Sequence, residues 1–167
     1  MTLLLLKGIK PARLKVDAFR LEMLNALRQT GNVIEKEDYG AITKSWKHKP
    51  VIEILVSLTG PGPVLLVATD DEIFGYLNEG TPPHKIRAKN APALRFQKGY
   101  KAKTKVRWIG SQGGGPFGPW WSAKEVDHPG IEARKYDEAI TKKRESWYKR
   151  RMERAMTQAA KKSGYGK

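Results

Sequence analysis

Residues 51–69 read VIEILVSLTGPGPVLLVAT, and this stretch decides the fold. Its two halves, residues 51–58 and 64–69, are rich in Ile, Leu and Val, as β-strands are. The Gly-Pro-Gly-Pro sequence at residues 60–63 can form neither a helix nor a central strand. The stretch therefore predicts two antiparallel strands joined by a loop. The core of their sheet is expected to contain Ile52, Ile54, Val56 and residues 64–67.

Further strands are predicted around this pair. The acidic residues 70–71 are typical of a solvated turn, and residues 73–78 follow them as a third strand. Residues 93–96 predict a fourth strand, with residues 84–87 as a short lead-in. A short apolar run at residues 2–6 is another strand candidate. The chain thus predicts an antiparallel sheet of about four strands.

An amphipathic helix is predicted before the sheet. Pro11 suits a first helical turn, and Gly31 is a plausible end. Between them, apolar residues recur at spacings of three and four, which places them on one helix face. These residues are Val16, Phe19, Met23 and Leu27. Residues 33–49 lack a clear period and predict a loop with some helical character.

A long basic helix is predicted at the C-terminal end, over residues 131–163. One face carries Tyr136, Ile140, Trp147, Ala155 and Ala159, interrupted by the charged Arg144 and Arg151. Residues 98–124, basic at first and then rich in Gly, Pro and aromatic residues, predict a loop insertion. The fold class is α+β, with one domain over residues 1–167: an N-terminal amphipathic helix, the antiparallel sheet and the long C-terminal helix.

Composition excludes several kinds of site. The 167 residues contain 32 Lys and Arg against 17 Asp and Glu, for a formal net charge of +15, and no Cys. Without Cys there is no disulfide scaffold, thiolate metal site or thiol nucleophile. The three His residues lack metal-ligand spacing. No segment is long and apolar enough for a membrane span or a signal peptide, so we expect no membrane partner and a protein that stays where it is made.

Three short motifs could carry chemistry, but each has a simpler explanation. The Gly run at residues 113–115 lacks the Lys-Ser or Lys-Thr of a phosphate-binding loop. Asp127 beside His128 could orient an imidazole for base catalysis, yet neither Ser111 nor Ser122 has a nucleophile motif around it. Pro129-Gly130 is more simply a turn before a helix. No catalytic, cofactor-binding or metal-binding residue is predicted, and the chain is not expected to be an enzyme; a small basic nuclease or toxin remains the enzymatic alternative.

Basic and aromatic residues supply the binding candidates. Lys and Arg can contact phosphates while aromatic rings stack on bases, and a basic surface can equally meet an acidic protein. Trp120 and Trp121 fit either a protein interface or a return onto the domain's own sheet. The candidates for an interface or a DNA-facing surface are Lys85, Arg87, Lys89, Arg95, Lys101, Lys103, Lys105, Arg107, Trp120, Trp121, Lys149, Arg150, Arg151 and Arg154.

Three motifs in order resemble a known family. They are Tyr-Leu-Asn-Glu-Gly-Thr at residues 76–81, the run IRAKNAPALRF at residues 86–96, and Val-Asp-His-Pro-Gly-Ile at residues 126–131. With the short strand and helix before them and the helix after them, this order is similar to the tail-completion neck proteins (minor tail protein Z-like) of long-tailed double-stranded DNA phages. The resemblance covers most of residues 2–160.

The resemblance implies a structural virion protein, made in the host cytoplasm, that completes the tail. Such proteins form a homo-oligomeric ring, here expected to be a hexamer, that joins the head-side connector or stopper protein to the tail terminator or tail tube protein. No cofactor comes with the family. The basic surface would then dock on acidic neighbours or face double-stranded DNA in the channel. Structural turns are expected at Gly80, His128, Pro129 and Gly130, where a glycine allows positive φ and close backbone approach. A nucleic-acid-binding module outside any virion is the alternative function.

Overall fold

The computed structural model describes residues 15–58 and 63–164, and it has an α+β fold with a long helix near each end. The expected strand at residues 2–6, Pro11 and most of the Gly-Pro loop lie outside the described residues. The elements in chain order are α1 (Val16–Val33), a π-helical segment (Ile34–Tyr39), α2 (Gly40–Ile42), β1 (Glu53–Ser57), β2 (Val64–Ala68), α3 (Glu72–Glu79), β3 (His84–Arg87), β4 (Leu94–Lys101), β5 (Gly115–Ala123), β6 (Glu125–His128) and α4 (Tyr136–Lys162).

The described strands form three two-stranded antiparallel sheets rather than one sheet of about four strands. The predicted pair in residues 51–69 is present as β1–β2, with Leu55 opposite Leu66. The residues expected as a lead-in, His84–Arg87, are a strand that pairs with β6. The fourth predicted strand is longer than expected and pairs as β4 with β5. Residues 98–124 therefore contain the end of β4, a connection over residues 102–114 and the whole of β5, rather than a loop throughout.

The predicted third strand is wrong, because residues 72–79 form helix α3. Asp71 caps this helix by accepting a hydrogen bond from the Phe74 N–H at 2.7 Å, and Gly80 ends it with φ of +77°. The bond from Phe74, supported by His48, lowers the pKa of Asp71. Asp71 is thus a helix cap rather than a solvated turn residue. Phe74 and Asn78, four residues apart, form the buried face.

Helix α1 does not end at Gly31, as predicted, but runs on to Val33 and into the π-helical segment and α2. Gly31 is buried, and a β-carbon there would overlap the side chain of Ile54 and come within 3.2 Å of Leu65. The glycine therefore permits close packing of α1 on β1 and β2 instead of stopping the helix. Residues 33–49, predicted as a loop with helical character, are helical as far as Ile42.

The core consists of two clusters that the inner face of β1–β2 joins through Leu65. In one, α1 packs against α4; in the other, the π-helical segment, α2 and α3 surround the start of α4. The first contains Met23, Leu27, Met152, Ala155 and Ala159, and the second contains Ile34, Tyr39, Ile42, Phe74, Tyr136 and Ile140. Most of the predicted helix faces are thus buried, although Val16 is exposed and Trp147 only half-buried.

The sheet core differs from the prediction for residues 64–67. Ile54 and Val67, which lie opposite each other, face inward, as do Val56 and Leu65; Ile54 lies against Gly31 of α1. Val64 and Leu66 lie on the outer face and are exposed. The difference follows from the alternation of side chains along a strand, which sends every second residue outward.

No helix within residues 15–58 and 63–164 is long and apolar enough to cross a membrane.

Candidate functional site

The predicted turn residues meet at one place. Thr81 and Ile131 exchange two backbone hydrogen bonds, of 2.9 and 3.0 Å, and this bridge brings Gly80 next to Gly130. Both glycines have positive φ, +77° and +87°. A β-carbon on Gly80 would lie 2.6 Å from the Ile131 carbonyl oxygen, and one on Gly130 would overlap the Thr81 carbonyl oxygen. The two segments can approach this closely only with glycine at both positions.

His128 and Asp127 are not arranged as a catalytic pair. They are consecutive residues of β6, so their side chains point to opposite faces of the strand. His128 Nδ1 accepts a hydrogen bond from the Gly130 N–H at 3.1 Å, and its ring lies 5.0 Å from that of His84. Asp127 is exposed and lies 3.7 Å from Lys85 Nζ. The arrangement closes a turn and provides no base poised beside a nucleophile.

Asn78, within the first motif of the resemblance, caps helix α4 from a distance. Lys135 precedes the helix with φ of +52° and makes no side-chain cap. Instead, Asn78 Oδ1 accepts from the backbone N–H of Tyr136 at 2.7 Å and of Asp137 at 3.4 Å. The side chain of Asn78 is buried, so water cannot replace it. The 76–81 segment therefore fixes where α4 begins.

Asn78→Ala should lower the free energy of unfolding by about 1–2 kcal/mol, because two N–H groups at the start of α4 lose their acceptor. Urea denaturation followed by circular dichroism measures the loss. Asn78→Asp keeps an acceptor oxygen at the same place but sets a second carboxylate against Glu79 Oε1, to which Asn78 Nδ2 donates at 2.6 Å, so both variants are compared in the Glu79→Gln background, where Asn78→Asp should cost less than Asn78→Ala. Equal losses for the two variants would contradict the capping role.

The β4–β5 hairpin carries the predicted tryptophans. Phe96 pairs with Trp121 and Gln97 with Trp120, so the two tryptophans lie on opposite faces of the hairpin. They are 65% and 49% exposed. Each has a cation over its ring: Arg95 is 5.9 Å from the centre of Trp120, and Lys98 Nζ is 4.7 Å from that of Trp121. Sequence reasoning treated the pair as one patch, whereas the structure makes two.

A second aromatic ring belongs to the face of Trp120. Residues 95, 97 and 99 are every second residue of β4 and therefore lie on the same face as Trp120. Phe117 lies opposite Gly99, and its ring occupies the position to which a β-carbon on Gly99 would point. Phe117 is 58% exposed. We call this surface the Trp120 face; it consists of Arg95, Gln97, Phe117 and Trp120. Among the described elements, no helix or third strand packs broadly against the hairpin.

The basic candidates near the hairpin fall into two groups. Lys85 and Arg87 both bind Glu125 across the β3–β6 sheet, and these bonds lower the pKa of Glu125 and raise that of Lys85. Arg107 pairs with Glu138 at 3.1 Å, and Lys105 lies over the Trp108 ring. Arg95, like Lys105, has only a ring contact, with Trp120, and Lys89, Lys101 and Lys103 have neither an ion pair nor a ring contact with a described residue.

The basic cluster of α4 is also divided. Arg151 donates to Thr30 Oγ1 and Gln29 Oε1, each at 3.0 Å, so it belongs to the α1–α4 interface. Lys149 pairs with Glu145 within the helix. Arg150 and Arg154 are exposed and form no ion pair with the described residues. Only these two of the four are free to meet an external anion.

The double variant Arg150→Glu/Arg154→Glu should leave the free energy of unfolding within about 0.5 kcal/mol of the wild type, since it removes no described contact. Arg151→Glu should lower that free energy by about 1–3 kcal/mol, because it breaks two hydrogen bonds and places a carboxylate against Thr30 and Gln29. Urea titrations of the three proteins make the comparison. If the double variant and Arg151→Glu had the same effect on stability, this division of the cluster would be wrong.

A buried charge cluster was not found from the sequence. Asp38, in the π-helical segment, is fully buried and accepts from Arg144 Nε at 2.6 Å and from Lys143 Nζ at 2.7 Å. Arg144 also bonds Glu37 and stacks over Trp147 at 5.0 Å. The bonds to Asp38 raise the pKa of Arg144. The arrangement ties two helices together and has no unsatisfied oxygen pointing at a cavity.

Within residues 15–58 and 63–164, no group of three or more His, Asp or Glu side chains is placed to hold a metal ion. Comparison of the chain with protein-family models, with curated proteins and with solved structures gave no match. The candidate site is therefore defined by this chain's own surfaces: the Trp120 face, the Trp121–Lys98 pair on the other side of the hairpin, and the exposed cations around them.

Proposed function

We propose that the chain is a structural subunit of the phage neck, a ring-forming tail-completion protein that joins the head connector to the tail tube. The observation that supports this most is the β4–β5 hairpin, which exposes Trp120 and Phe117 on one face without a described partner. An isolated two-stranded hairpin is only marginally stable in water, and exposed aromatic clusters are typical of protein interfaces. The order of the three motifs in residues 76–131, which resembles that of tail-completion neck proteins, is the reason for proposing this assembly in particular.

The arrangement of the motifs is also consistent with a structural role. The first and third motifs contact each other through the close approach of the segments at Gly80 and Gly130. Asn78, also in the first motif, accepts a hydrogen bond from the first residue of α4. These residues are occupied in maintaining the fold. A closed ring would bury the exposed patches of each copy against its neighbours. We expect a hexamer, with the connector or stopper protein on one side and the tail terminator or tail tube protein on the other.

Electron microscopy of particles that contain the protein tests the proposal. Several copies should be arranged around the channel axis where head and tail meet, and particles made without the protein should accumulate as separate heads and tails. The mass of the protein extracted from particles, measured by native mass spectrometry, gives the number of copies in a ring. A single copy in each particle, or normal joining without the protein, would overturn the proposal.

A nucleic-acid-binding module is the second candidate function. It is favoured by the pairing of a cation with each exposed tryptophan of the hairpin, Arg95 with Trp120 and Lys98 with Trp121. Bases stack on exposed aromatic rings while nearby cations contact phosphates. A gel shift with non-specific DNA over a salt series tests it: affinity should fall steeply as salt rises, and the Trp120→Ala/Trp121→Ala variant should bind more weakly. Absence of binding at low salt would exclude this function.

A further inference from the structure

The outer face of β1–β2 has the composition of a buried surface. Strands of an antiparallel sheet that cover a core on one side normally place polar residues on the other. Here the outward residues include Leu55, Val64 and Leu66, and the two leucines lie directly opposite each other. They are 57% and 50% exposed. We call this the leucine face. Its strands have apolar residues on both sides, as strands do when both faces are covered.

Charge is separated between this region and the hairpin. Residues 50–84 contain five acidic residues and no Lys or Arg, although the whole chain carries +15. Residues 80–124 contain ten Lys and Arg and no acidic residue. Asp71 pairs with His48 and Glu79 with Lys135, so three carboxylates without an ion pair to a described residue remain in this stretch, whose charge is opposite to that of the stretch containing the hairpin.

Part of this acidic charge lies beside the leucine face and is free. Glu53 is on the outer face, opposite Ala68, and Asp70 follows two residues after Ala68 at the same end of the sheet. Glu53, Asp70 and Glu72 form no ion pair with a described residue, and all three are exposed. The leucine face therefore presents an apolar centre with carboxylates at one end.

We infer that the Trp120 face of one copy packs on the leucine face of the next copy. This inference rests on the proposed function, because it specifies how the ring is built. The two surfaces are complementary. Trp120 and Phe117 would cover the leucines, and Arg95 would lie near carboxylates that have no ion pair with a described residue. Since the two surfaces are different parts of the chain, the contact is head-to-tail. Contacts of that kind give a ring when the rotation between copies closes and an open filament when it does not, whereas a surface that packs on itself gives only a dimer.

Other occupants of the two faces are less well matched. Packing of one leucine face on another would leave both hairpins uncovered. Packing of two hairpins would juxtapose their cations, and like charges across an interface are costly. Nucleic acid could bind the hairpin, but it would leave the leucine face uncovered.

Cross-linking between copies tests the inference, because the chain has no native Cys. Leu66→Cys and Ser122→Cys each place one thiol on one of the two faces; Ser122 lies opposite Arg95 and leaves Trp120 in place. The variants are purified separately, mixed in equal amounts and treated with a short bismaleimide. We expect a product at twice the 18.8 kDa mass of the chain in the mixture and at least tenfold less from either variant alone. Lys142→Cys, on the exposed side of α4, replaces Leu66→Cys in the control mixture and should give no more product than the single variants.

The double variant Leu66→Cys/Ser122→Cys should give a ladder of products whose largest member has the ring's number of copies. Efficient cross-linking of Leu66→Cys with itself, or of both thiols within one chain, would overturn the inference. A second result would also overturn the inference: Trp120→Ala abolishes DNA binding but leaves the mass of the oligomer unchanged. The Trp120 face would then be a nucleic-acid-binding surface and not a contact between copies.

The failure of the inference can be told apart from that of the proposed function. If native mass spectrometry detects a ring but the mixture does not cross-link, the head-to-tail contact is wrong and the ring proposal stands. If the protein is monomeric both when purified and when extracted from particles, both fail.

Discussion

Asp38→Asn should lower the free energy of unfolding by about 3–5 kcal/mol, which is a large part of the stability of a typical domain. Asp38 is fully buried and compensates two cations, Arg144 and Lys143. Removing the carboxylate leaves the guanidinium of Arg144, whose side chain is only 11% exposed, without its principal partner. Urea denaturation at neutral pH, followed by circular dichroism, measures the loss.

Two further variants locate the effect. Glu37 bonds the same Arg144 but is 61% exposed, so Glu37→Gln should cost no more than about 1 kcal/mol. The double variant Asp38→Asn/Arg144→Met removes both members of the buried pair and should recover much of the stability that Asp38→Asn loses, because no uncompensated guanidinium remains. A loss of less than 1 kcal/mol in Asp38→Asn, or no recovery in the double variant, would show that the pair does not organise the interface.

The elements that the sequence predicts correctly are those whose apolar residues recur at a regular spacing or form a continuous run. The spacing of Met23 and Leu27, and the Ile, Leu and Val runs of residues 51–69, directly reflect which faces are buried. The strand prediction for residues 73–78 is wrong because a run of about eight residues is too short to distinguish a helix from a strand by the periodicity of its apolar residues. The deciding features were local: the cap by Asp71 and the positive φ of Gly80.

The hairpin was missed for a different reason. Pro116 and Pro119 argue against a central strand, and residues 102–114 have no short-turn signature. Both strands of a two-stranded sheet are edge strands, however, and an edge tolerates proline. Asp38 had no local signal at all, since its partners lie more than 100 residues later in the chain. Only the helical packing brings them together.

The candidate surface was partly predictable. Composition alone identified the tryptophans and the cations, but not which of them are free. Alternation along β5 separates Trp120 from Trp121, and the contacts of Arg151 remove it from the set of external cations. A list of basic residues therefore overestimates the charge available to a partner, because several cations serve the chain itself.

Gly130→Ala should lower the free energy of unfolding by about 2–4 kcal/mol, through backbone strain and overlap together. Gly130 has φ of +87°, which other residues rarely adopt, and a β-carbon there would lie 2.8 Å from the Pro82 carbonyl carbon and overlap Thr81. Because the neighbours are backbone atoms in the Thr81–Ile131 bridge, they can move only by breaking that bridge and shifting the start of α4.

Gly113→Ala is the matched control for the same chemical change. Gly113 lies in the same chain with no atom within 4 Å of its would-be β-carbon, so this variant should stay within about 0.5 kcal/mol of the wild type. His128→Gln removes the Nδ1 acceptor for the Gly130 N–H and the ring contact with His84, and it should cost about 1 kcal/mol. The expected order of loss, Gly130→Ala above His128→Gln above Gly113→Ala, is measured by urea denaturation of the three proteins. Should His128→Gln prove the most damaging, the imidazole would have a role beyond the turn, and the interpretation of residues 128–130 as a structural element that aims the C-terminal helix would fail.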